Sequence, residues 1–383
     1  MPNNTITVAL YAHVESYPPS LNMIESLSKI FKKIHVLHIP TLVGAWQFPE
    51  NVQLHSLLKE AISTKETINS SIFYKLFIFT SFAFRLLVLI RKNKSDTILV
   101  YDPMPLLSLF FIKILLPKKI TFWYHNHDIY EKTNISKFSL GRLAYQIEKS
   151  CFSWVNIFSL PSIERLMHFN LTKYTGHLFI IPNYPLVSLF NQFKANKSVS
   201  EIIILYQGSI SKGKGIEEII ELLPELNKTN TIDLFLKGEI HPQYFERLIS
   251  LANKKNISQN LRFYAYSDYA EVPKLAASCH IGLAIYSGND AMNQTLGTAS
   301  NKIYEYAASG IPILYYKSEH YDKYLSKFKW AFPTDLSKES LLKSIETILS
   351  DYDNLSKCAR DDFENTYNFE KVFATTVGTL FRN

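Results

Sequence analysis

Short apolar runs rich in β-branched residues alternate with amphipathic helical stretches along the whole chain. The chain opens with a strand from Thr5 to Ala12, a break at Pro18-Pro19, a helix from about Leu21 to Phe31 and a strand from Lys33 to Ile39. This strand–helix–strand order is typical of a doubly wound parallel sheet. At 383 residues, the chain is too long for one core and suits two domains of about 150–200 residues.

The alternation is interrupted once, at the polar, Asn- and Lys-rich stretch from Phe190 to Ser200, and then begins again. We therefore predict an N-terminal α/β domain over 1–188, a linker over 189–200, a second α/β domain over 201–366 and a terminal segment, helical from Tyr367 to Arg382, over 367–383. Further strands are predicted at 97–101, 120–124, 157–160, 178–181, 201–206, 232–236, 261–264, 281–285 and 313–316, and helices at 215–226, 241–254 and 301–308.

Basic residues are concentrated in the first half of the chain. Met1 to Pro185 carries 19 Lys+Arg against 11 Asp+Glu, whereas the remainder carries 22 against 23. The excess is either a solvated basic face or a surface that attracts an anionic lipid or an anionic acceptor. Nucleic acid is a weaker interpretation, because no nucleic-acid-binding motif accompanies the charge.

The cysteines and the N-terminus indicate the compartment. Cys151, Cys279 and Cys358 are widely spaced, which argues against a disulfide framework or a zinc knuckle and fits a reducing environment. The first residues lack the basic start and long apolar core of a signal peptide. We therefore expect a cytoplasmic protein, with the inner face of the cytoplasmic membrane as its other expected location.

An apolar stretch from Ile72 to Ile90 has nearly the length of a membrane span, but Lys75 and Arg85 interrupt it. It is either a buried or half-buried helix of the first domain, or a helix lying in the membrane plane with its basic residues at the lipid headgroups. A true span is disfavoured, because strands resume immediately afterwards.

The segment from Leu296 to Leu314 carries the clearest functional pattern. Its polar turn (Gly297, Thr298, Ala299, Ser300) leads into a helix, with Ser300 as a candidate N-cap and Gly310 followed by Pro312 as the stop. The N-terminus of such a helix attracts phosphate. Lys302 and Glu305 are three residues apart and share a face, so they offer a cation to a diphosphate and a carboxylate to a diol such as a ribose. An ordinary surface ion pair is the alternative.

A second phosphate-type element lies upstream, in the run YQGSISKGKG from Tyr206 to Gly215. Its Gly208, Gly213 and Lys214 have the spacing of a P-loop, but Gly215 occupies the position where a Ser or Thr holds magnesium. We favour a strand–helix turn whose backbone approaches a diphosphate while Lys214 neutralises it. A P-loop nucleotide hydrolase stays open as the alternative.

These motifs together resemble the donor domain of GT-B glycosyltransferases, especially family 4. The resemblance rests on YQGSISKGKGIEEII, LFLKGE, RFYAYSDYAEVPKLAASCHIGLAIY and SNKIYEYAASGIPIL, with IIPNYP and WYHNHDIYE weaker counterparts in the first half. It implies two Rossmann-like domains facing a cleft, with the C-terminal helix returning to the first domain. It also implies transfer of a sugar from a UDP- or GDP-sugar to a glycan or lipid-linked acceptor.

The resemblance also implies a donor site. Lys214 would contact the diphosphate, and Glu305 would contact the ribose hydroxyls. Lys302 would lie beside the amides that residues 297–300 offer to the phosphates. The other residues of the implied donor site are Gly208, Ser209 and Tyr266. The chain departs from the family at two positions. Ser209 replaces a frequent arginine, and Gly297 stands where many members have a Glu eight residues before the ribose-binding Glu, which leaves the stereochemical outcome open.

For the acceptor side we single out His127 and Asp128, with His125 nearby, because they follow a predicted strand and ligands bind at strand carboxyl ends in doubly wound sheets. His127 is expected either to orient or deprotonate the acceptor hydroxyl, or to brace the loop with Asp128. Weaker candidates at the same predicted edge are His13, Tyr17 and Asp102.

No metal is expected. The one Asp-x-Asp string, Asp351-Tyr352-Asp353, reads as a solvated helix end, and a helix N-terminus with lysines can stabilise the leaving diphosphate instead. The sequence therefore predicts a metal-independent, retaining glycosyltransferase of bacterial surface polysaccharide or lipid-linked glycan assembly. A GT-B-like sugar-nucleotide epimerase and a non-catalytic glycan- or lipid-binding protein are further alternatives, and the sequence leaves the oligomeric state undetermined.

Overall fold

The chain forms two compact units. The computed structural model describes residues 4–40, 46–60, 70–130, 135–193, 201–265, 267–288 and 291–381. One unit comprises Met1–Pro182 and Val372–Asn383, and the other Asn183–Lys371. Residues 194–200, most of the predicted linker, lie outside the described part of the chain.

The first unit is built on a seven-stranded sheet. Its strands are β1 Thr5–Ala9, β2 Lys33–His38, β3 Val52–Ser56, β4 Thr97–Tyr101, β5 Thr121–His125, β6 Ile157–Leu160 and β7 His177–Ile180. They are parallel and lie in the order β3-β2-β1-β4-β5-β6-β7. The strand order reverses between β1 and β4, and the carboxyl ends of strands beside such a reversal are where doubly wound sheets bind ligands.

The second unit repeats this plan with six strands. They are β8 Glu201–Gln207, β9 Thr231–Lys237, β10 Leu261–Tyr264, β11 Ile281–Ala284, β12 Ile313–Tyr316 and β13 Ala331–Thr334. Their order is β10-β9-β8-β11-β12-β13, again all parallel, with the reversal between β8 and β11. Both sheets therefore have the Rossmann-type order, which confirms the predicted fold class.

Helices cover these sheets. They are α1 Pro18–Ser28, α2 Ile72–Asn93, α3 Pro103–Ile112, α4 Leu140–Ser150, α5 Val187–Phe190, α6 Ile216–Leu226, α7 Pro242–Lys254, α8 Val272–Ala276, α9 Ala291–Gln294, α10 Asn301–Ala308, α11 Glu319–Leu325, α12 Lys338–Ser350, α13 Tyr352–Asn365, α14 Phe369–Thr375 and α15 Gly378–Phe381. Their apolar faces form one large core cluster in each unit, because strands buried on both faces need cover on both sides.

The structure corrects the sequence analysis in two places. Strands β3 and β13 were not predicted, because both are edge strands whose sequences, VQLHS and AFPT, are largely polar or contain a proline. The single terminal helix predicted from Tyr367 to Arg382 is wrong. The chain forms α14 and α15 with a break between them, where a Cβ on Gly378 would lie 2.5 Å from the carbonyl oxygen of Phe373. The end of the chain does pack on the first unit, where Phe381 lies against Phe31 and Trp123.

Helix α2 covers the stretch predicted to be either a core helix or a membrane-plane helix. Among the described residues, it is the one helix long and apolar enough to cross a bilayer, and a third of its most apolar window is buried. Phe82, Leu86 and Ile90 on one side belong to the core, whereas Phe73 and Phe84 on the other side are exposed. The helix is thus half-buried.

Candidate functional site

The turn after β8 lies at the strand reversal of the second sheet and contains three glycines. Gly208, Gly213 and Gly215 all have positive φ angles, of 118°, 76° and 75°, which glycine adopts most readily. A Cβ on Gly208 would lie 3.4 Å from Nζ of Lys302, so the missing side chain leaves room for that ammonium group. Ser287, which follows β11, donates to the carbonyl oxygen of Gly213 and ties the turn to the sheet.

Two lysines converge on one aromatic ring beside this turn. Nζ of Lys214 lies 4.8 Å and Nζ of Lys302 lies 4.9 Å from the ring centroid of Tyr286. Lys302 also lies 3.9 Å from the ring centroid of Tyr206, and such cation–π contacts hold ammonium groups without neutralising them. Burial and the charge of Lys214 lower the pKa of Lys302 well below its usual value, and Glu305 partly opposes them. The pair therefore places two lysine side chains where a bound anion would favour their protonated forms.

Glu305 lies one helical turn from Lys302 on α10, with 5% of its surface exposed. Its carboxylate accepts a hydrogen bond of 2.6 Å from Nε2 of Gln207 and another from Tyr269. Burial raises the pKa of Glu305 to about 7, although these hydrogen bonds and then Lys302 and Lys237 act in the opposite direction. A buried carboxylate beside two lysines can receive paired hydroxyl groups, as a ribose would offer.

Four residues of this site were missed by the sequence analysis: Gln207, Lys237, Tyr269 and Tyr286. Gln207 and Lys237 are partners in the β8–β9 register, so their side chains leave the same face of the sheet at its carboxyl edge. Lys237 is 7% exposed, and burial lowers its pKa whereas Glu271 and Glu305 raise it. The signal that could have found both is their position directly after the predicted strands 201–206 and 232–236.

The turn before α10 differs from its predicted role. Of the four amides expected to face phosphate, that of Gly297 donates to Nε2 of His320 at 3.1 Å and that of Ala299 donates to the carbonyl oxygen of Leu296. Both amides are thus used inside a 3₁₀ turn, Gly297–Ala299, which the sequence analysis did not foresee. Ser300 occupies the N-cap position but makes no side-chain cap.

The hydroxyl of Ser300 lies 2.7 Å from that of Tyr286 instead. Asn183, from the IIPNYP run, fixes the same turn. Its amide donates to the carbonyl oxygen of Thr298 at 3.0 Å, and its Nδ2 donates to that of Ala299 at 2.8 Å. Asn183 therefore holds the backbone of the 297–300 turn in place.

The other predicted donor residues lie as follows. Ser209 is exposed, and its carbonyl oxygen accepts a hydrogen bond from the hydroxyl of Tyr206. Tyr266 lies outside the described residues. Asp351 and Asp353 are exposed at the start of α13.

In the first unit, the strand carboxyl ends gather a separate polar cluster around Asp102. This residue follows β4 with φ 64° and ψ 171°, a strained backbone conformation that non-glycine residues rarely adopt. Its Oδ1 accepts hydrogen bonds from the amides of His127 at 2.7 Å and Asp128 at 3.3 Å. Its Oδ2 lies 3.6 Å from Nδ1 of His127. Asp102, a weak candidate in the sequence, is thus the residue that organises the loop after β5.

The two predicted acceptor-side residues differ in accessibility. The ring of His127 is buried and stacked between Tyr17 and Tyr101, with centroid distances of 5.1 and 4.7 Å. Asp128 is half-buried, and burial together with the charge of Asp102 raises its pKa. Arg165 is buried and donates to the carbonyl oxygen of His127. Of the two residues, Asp128 is the more exposed.

His125 and His13, the other histidines singled out in the sequence, make local contacts within the first unit. His125 is buried, with Nδ1 2.7 Å from the hydroxyl of Ser159. His13 is also buried, accepts a hydrogen bond from the amide of Glu15 and lies against His38. Burial lowers the pKa of all three histidines.

Two Rossmann-type units, the second with a glycine-bearing turn, a lysine pair and a buried carboxylate at its strand reversal, define the GT-B class. Comparisons with known proteins give the family. Residues 188–363, nearly the whole of the second unit, match the family model described as "Glycosyl transferases group 1". This match and the fold are those of glycosyltransferases, which confirms the resemblance seen in the sequence. No curated protein matches the sequence.

Solved glycosyltransferase structures share the fold over the whole chain. Sucrose-phosphate synthase from Thermosynechococcus elongatus is similar with a TM-score of 0.73 and 14% identity, covering 99% of this chain and 98% of that one. HepE from Anabaena, in complex with UDP and glucose, is similar with a TM-score of 0.66 and 12% identity, covering 98% of this chain and 99% of that one. WaaG, a glycosyltransferase involved in lipopolysaccharide biosynthesis, is similar with a TM-score of 0.61 and 14% identity, covering 96% of this chain and 99% of that one.

Proposed function

We propose that the chain transfers a sugar from a nucleotide-diphosphate sugar to a glycan or lipid-linked acceptor, without a metal ion and with retention of configuration. The observation that carries the proposal is the cluster around Tyr286, with Lys214 and Lys302 on its ring and Glu305 on the same helix as Lys302. Within one unit, the cluster offers lysine cations to a diphosphate and a hydrogen-bond-accepting carboxylate to the two hydroxyls of a diol. The HepE structure in complex with UDP and glucose supports a uridine nucleotide as the first donor to test.

The physical argument for metal independence is the charge that the chain itself supplies. Breaking the bond between the sugar and the phosphate leaves negative charge on the nucleoside diphosphate. Two half-buried lysines act on such charge more strongly than fully exposed lysines would, because partly desolvated surroundings screen them less. A bound diphosphate would in turn favour the protonated form of Lys302.

The proposed acceptor residues lie at the carboxyl edge of the first sheet. We infer that Asp128, rather than the enclosed His127, meets the acceptor hydroxyl, because the Asp128 carboxyl is half-buried and its pKa is raised. His127 then orients the loop through Asp102. The similarity to WaaG, a glycosyltransferase involved in lipopolysaccharide biosynthesis, supports a surface glycan as the class of acceptor. We also propose a cytoplasmic location at the inner face of the cytoplasmic membrane.

A donor screen followed by a transfer assay tests the proposal. Thermal shifts with UDP-, GDP- and ADP-sugars, each with EDTA and with magnesium, should show one nucleotide that stabilises the protein equally in both. Lys302→Met should abolish this shift, and Lys274→Met, which changes an exposed lysine of the same unit, should leave it intact. NMR of the glycosidic product should show the anomeric configuration of the donor. A shift that requires magnesium, or an inverted product, would contradict the metal-free or the retaining part of the proposal respectively.

A further inference from the structure

The exposed side of α2 carries a continuous apolar stripe. Phe73, Phe77, Phe84 and Val88 are spaced by four, seven and four residues, so they lie on one face, and they are 80%, 61%, 67% and 40% exposed. Thr80 lies within the stripe, and its hydroxyl donates to the carbonyl oxygen of Leu76. Large aromatic side chains exposed in such a row mark an interaction surface.

The opposite side of α2 is packed into the core of the first unit. Phe82, Leu86 and Ile90 are at most 1% exposed and belong to the core of the first unit. Because the helix needs this contact, it is held along the surface of the unit and presents only its outer face. A helix in this setting is suited to lie in the plane of an interface rather than across it.

Basic residues and a groove continue the surface at the end of α2. Arg85 and Lys92 are exposed, and Arg91 donates to the carbonyl oxygen of Leu115 at 2.7 Å. Beside them lies a groove of about 620 Å³ between the end of α2 and the segment 114–120, at the amino ends of β4 and β5. Its lining combines apolar side chains with three cations and one carboxylate: Arg91, Lys94, Lys119 and Asp96. Ile114 on its rim is 87% exposed.

We propose that this docking surface, defined as the outer face of α2 and the segment 114–120, lies flat on an anionic lipid bilayer. The aromatic stripe enters the boundary between headgroups and acyl chains, and the groove receives the phosphate of one anionic lipid. Apolar area and positive charge on one surface complement a bilayer carrying negative headgroups. The charge excess of the first 185 residues has the same sign. The groove lies at the amino ends of β4 and β5, opposite the carboxyl edge that carries the predicted acceptor residues, and no residue of the stripe belongs to the proposed donor or acceptor site. The proposal is therefore independent of the sugar-transfer chemistry.

Vesicle sedimentation tests the proposal. The wild-type protein should bind phosphatidylcholine vesicles containing phosphatidylglycerol, bind pure phosphatidylcholine much more weakly, and be released by high salt and by alkaline carbonate. The variant Phe73→Ser/Phe77→Ser/Phe84→Ser should bind at least about 100-fold more weakly, because each buried aromatic ring contributes about a tenfold factor. The variant Arg85→Gln/Lys92→Gln should lose about 25-fold, or about fivefold per charge, and only for the anionic vesicles.

Matched controls change comparable residues elsewhere. Met167→Ser alters a side chain that is 80% exposed in the same unit, and Lys254→Gln/Lys357→Gln removes two exposed charges from the other unit. These variants should bind as wild type does, and all variants should keep the wild-type circular dichroism spectrum and donor-induced thermal shift.

Four outcomes would overturn the proposal. The first is the absence of wild-type binding to anionic vesicles, and the second is a triple serine variant that binds as tightly as wild type. Retention after carbonate extraction would show a span rather than a flat contact. A wild-type dimer in solution that the triple variant converts to a monomer, without any vesicle binding, would assign the stripe to a second copy of the chain.

Discussion

Replacing Glu305 by glutamine should sharply weaken donor binding while leaving the fold intact. The carboxylate is proposed to accept two hydrogen bonds from ribose hydroxyls, each contributing about 1.5–3 kcal/mol when one partner is charged. Removing the charge from both hydrogen bonds therefore weakens the free energy of donor binding by up to about 3–6 kcal/mol, which raises Kd roughly 10²- to 10⁴-fold. Since glutamine keeps one acceptor oxygen, we expect the lower end of this range.

The pH dependence of the same variant separates a binding role from a structural one. Burial raises the pKa of Glu305 to about 7, so its carboxylate becomes protonated and loses its charge as the pH falls through that value. Wild-type donor affinity should thus fall about tenfold from about pH 8 to pH 6, and Glu305→Gln should lack this dependence. In the free protein, a raised carboxyl pKa means that stability is highest below the unfolded value of 4.5 and declines as the pH rises towards 7.

The variant should accordingly unfold at pH 8 with a free energy no lower than that of the wild type. Isothermal titration of the nucleoside diphosphate between about pH 6 and pH 8, together with urea unfolding, measures both quantities. Glu225→Gln is the control, because Glu225 pairs with an exposed lysine elsewhere in the unit. If Glu305→Gln binds the nucleotide within about threefold of wild type at pH 8, the ribose assignment is refuted.

Three further predictions follow from the same contacts. Lys237→Met removes a charge that lowers the pKa of Glu305, so the fall in donor affinity on acidification should begin at a higher pH in isothermal titration. Lys274→Met, which changes an exposed lysine, should leave the pH of this fall unchanged. Tyr286→Leu should weaken diphosphate binding by roughly fivefold or more in titration calorimetry, because both lysines lose their ring, and Tyr286→Phe should bind nearly as well as wild type. Burial lowers the pKa of His38 to about 4, so the protein pays no penalty for its neutral ring above about pH 6.5. As the pH falls towards 4, up to about 3 kcal/mol of the free energy of unfolding is lost. Urea unfolding of His38→Gln should show a smaller loss over the same pH range.

Much of the fold was predictable because buried parallel strands are nearly continuous apolar runs. Strands such as Ile157–Leu160 and helices such as Asn301–Ala308 have the bounds expected from the sequence. The edge strand Val52–Ser56 was missed because one side of it faces solvent and its residues are polar. Local pattern is therefore informative where burial is complete and weak where it is partial.

The donor site was predictable only in part, for a related reason. Lys302 and Glu305 are three residues apart on one helix, so their common face follows from helical geometry. Tyr286 and Lys237 reach the same site from other strands, and no local spacing links them to α10. The engaged amide of Gly297 depends on His320 from a later helix, which likewise could not be read from the turn itself.

The position of a bound nucleoside diphosphate tests the central claim most directly. A crystal structure of the protein soaked with the nucleotide that gives the largest thermal shift should place diphosphate oxygens within about 3.2 Å of Nζ of Lys214 and Lys302. The ribose hydroxyls should lie at a similar distance from the carboxylate of Glu305. A nucleotide bound in the second unit with its ribose away from Glu305, or with its phosphates away from both lysines, would contradict the account.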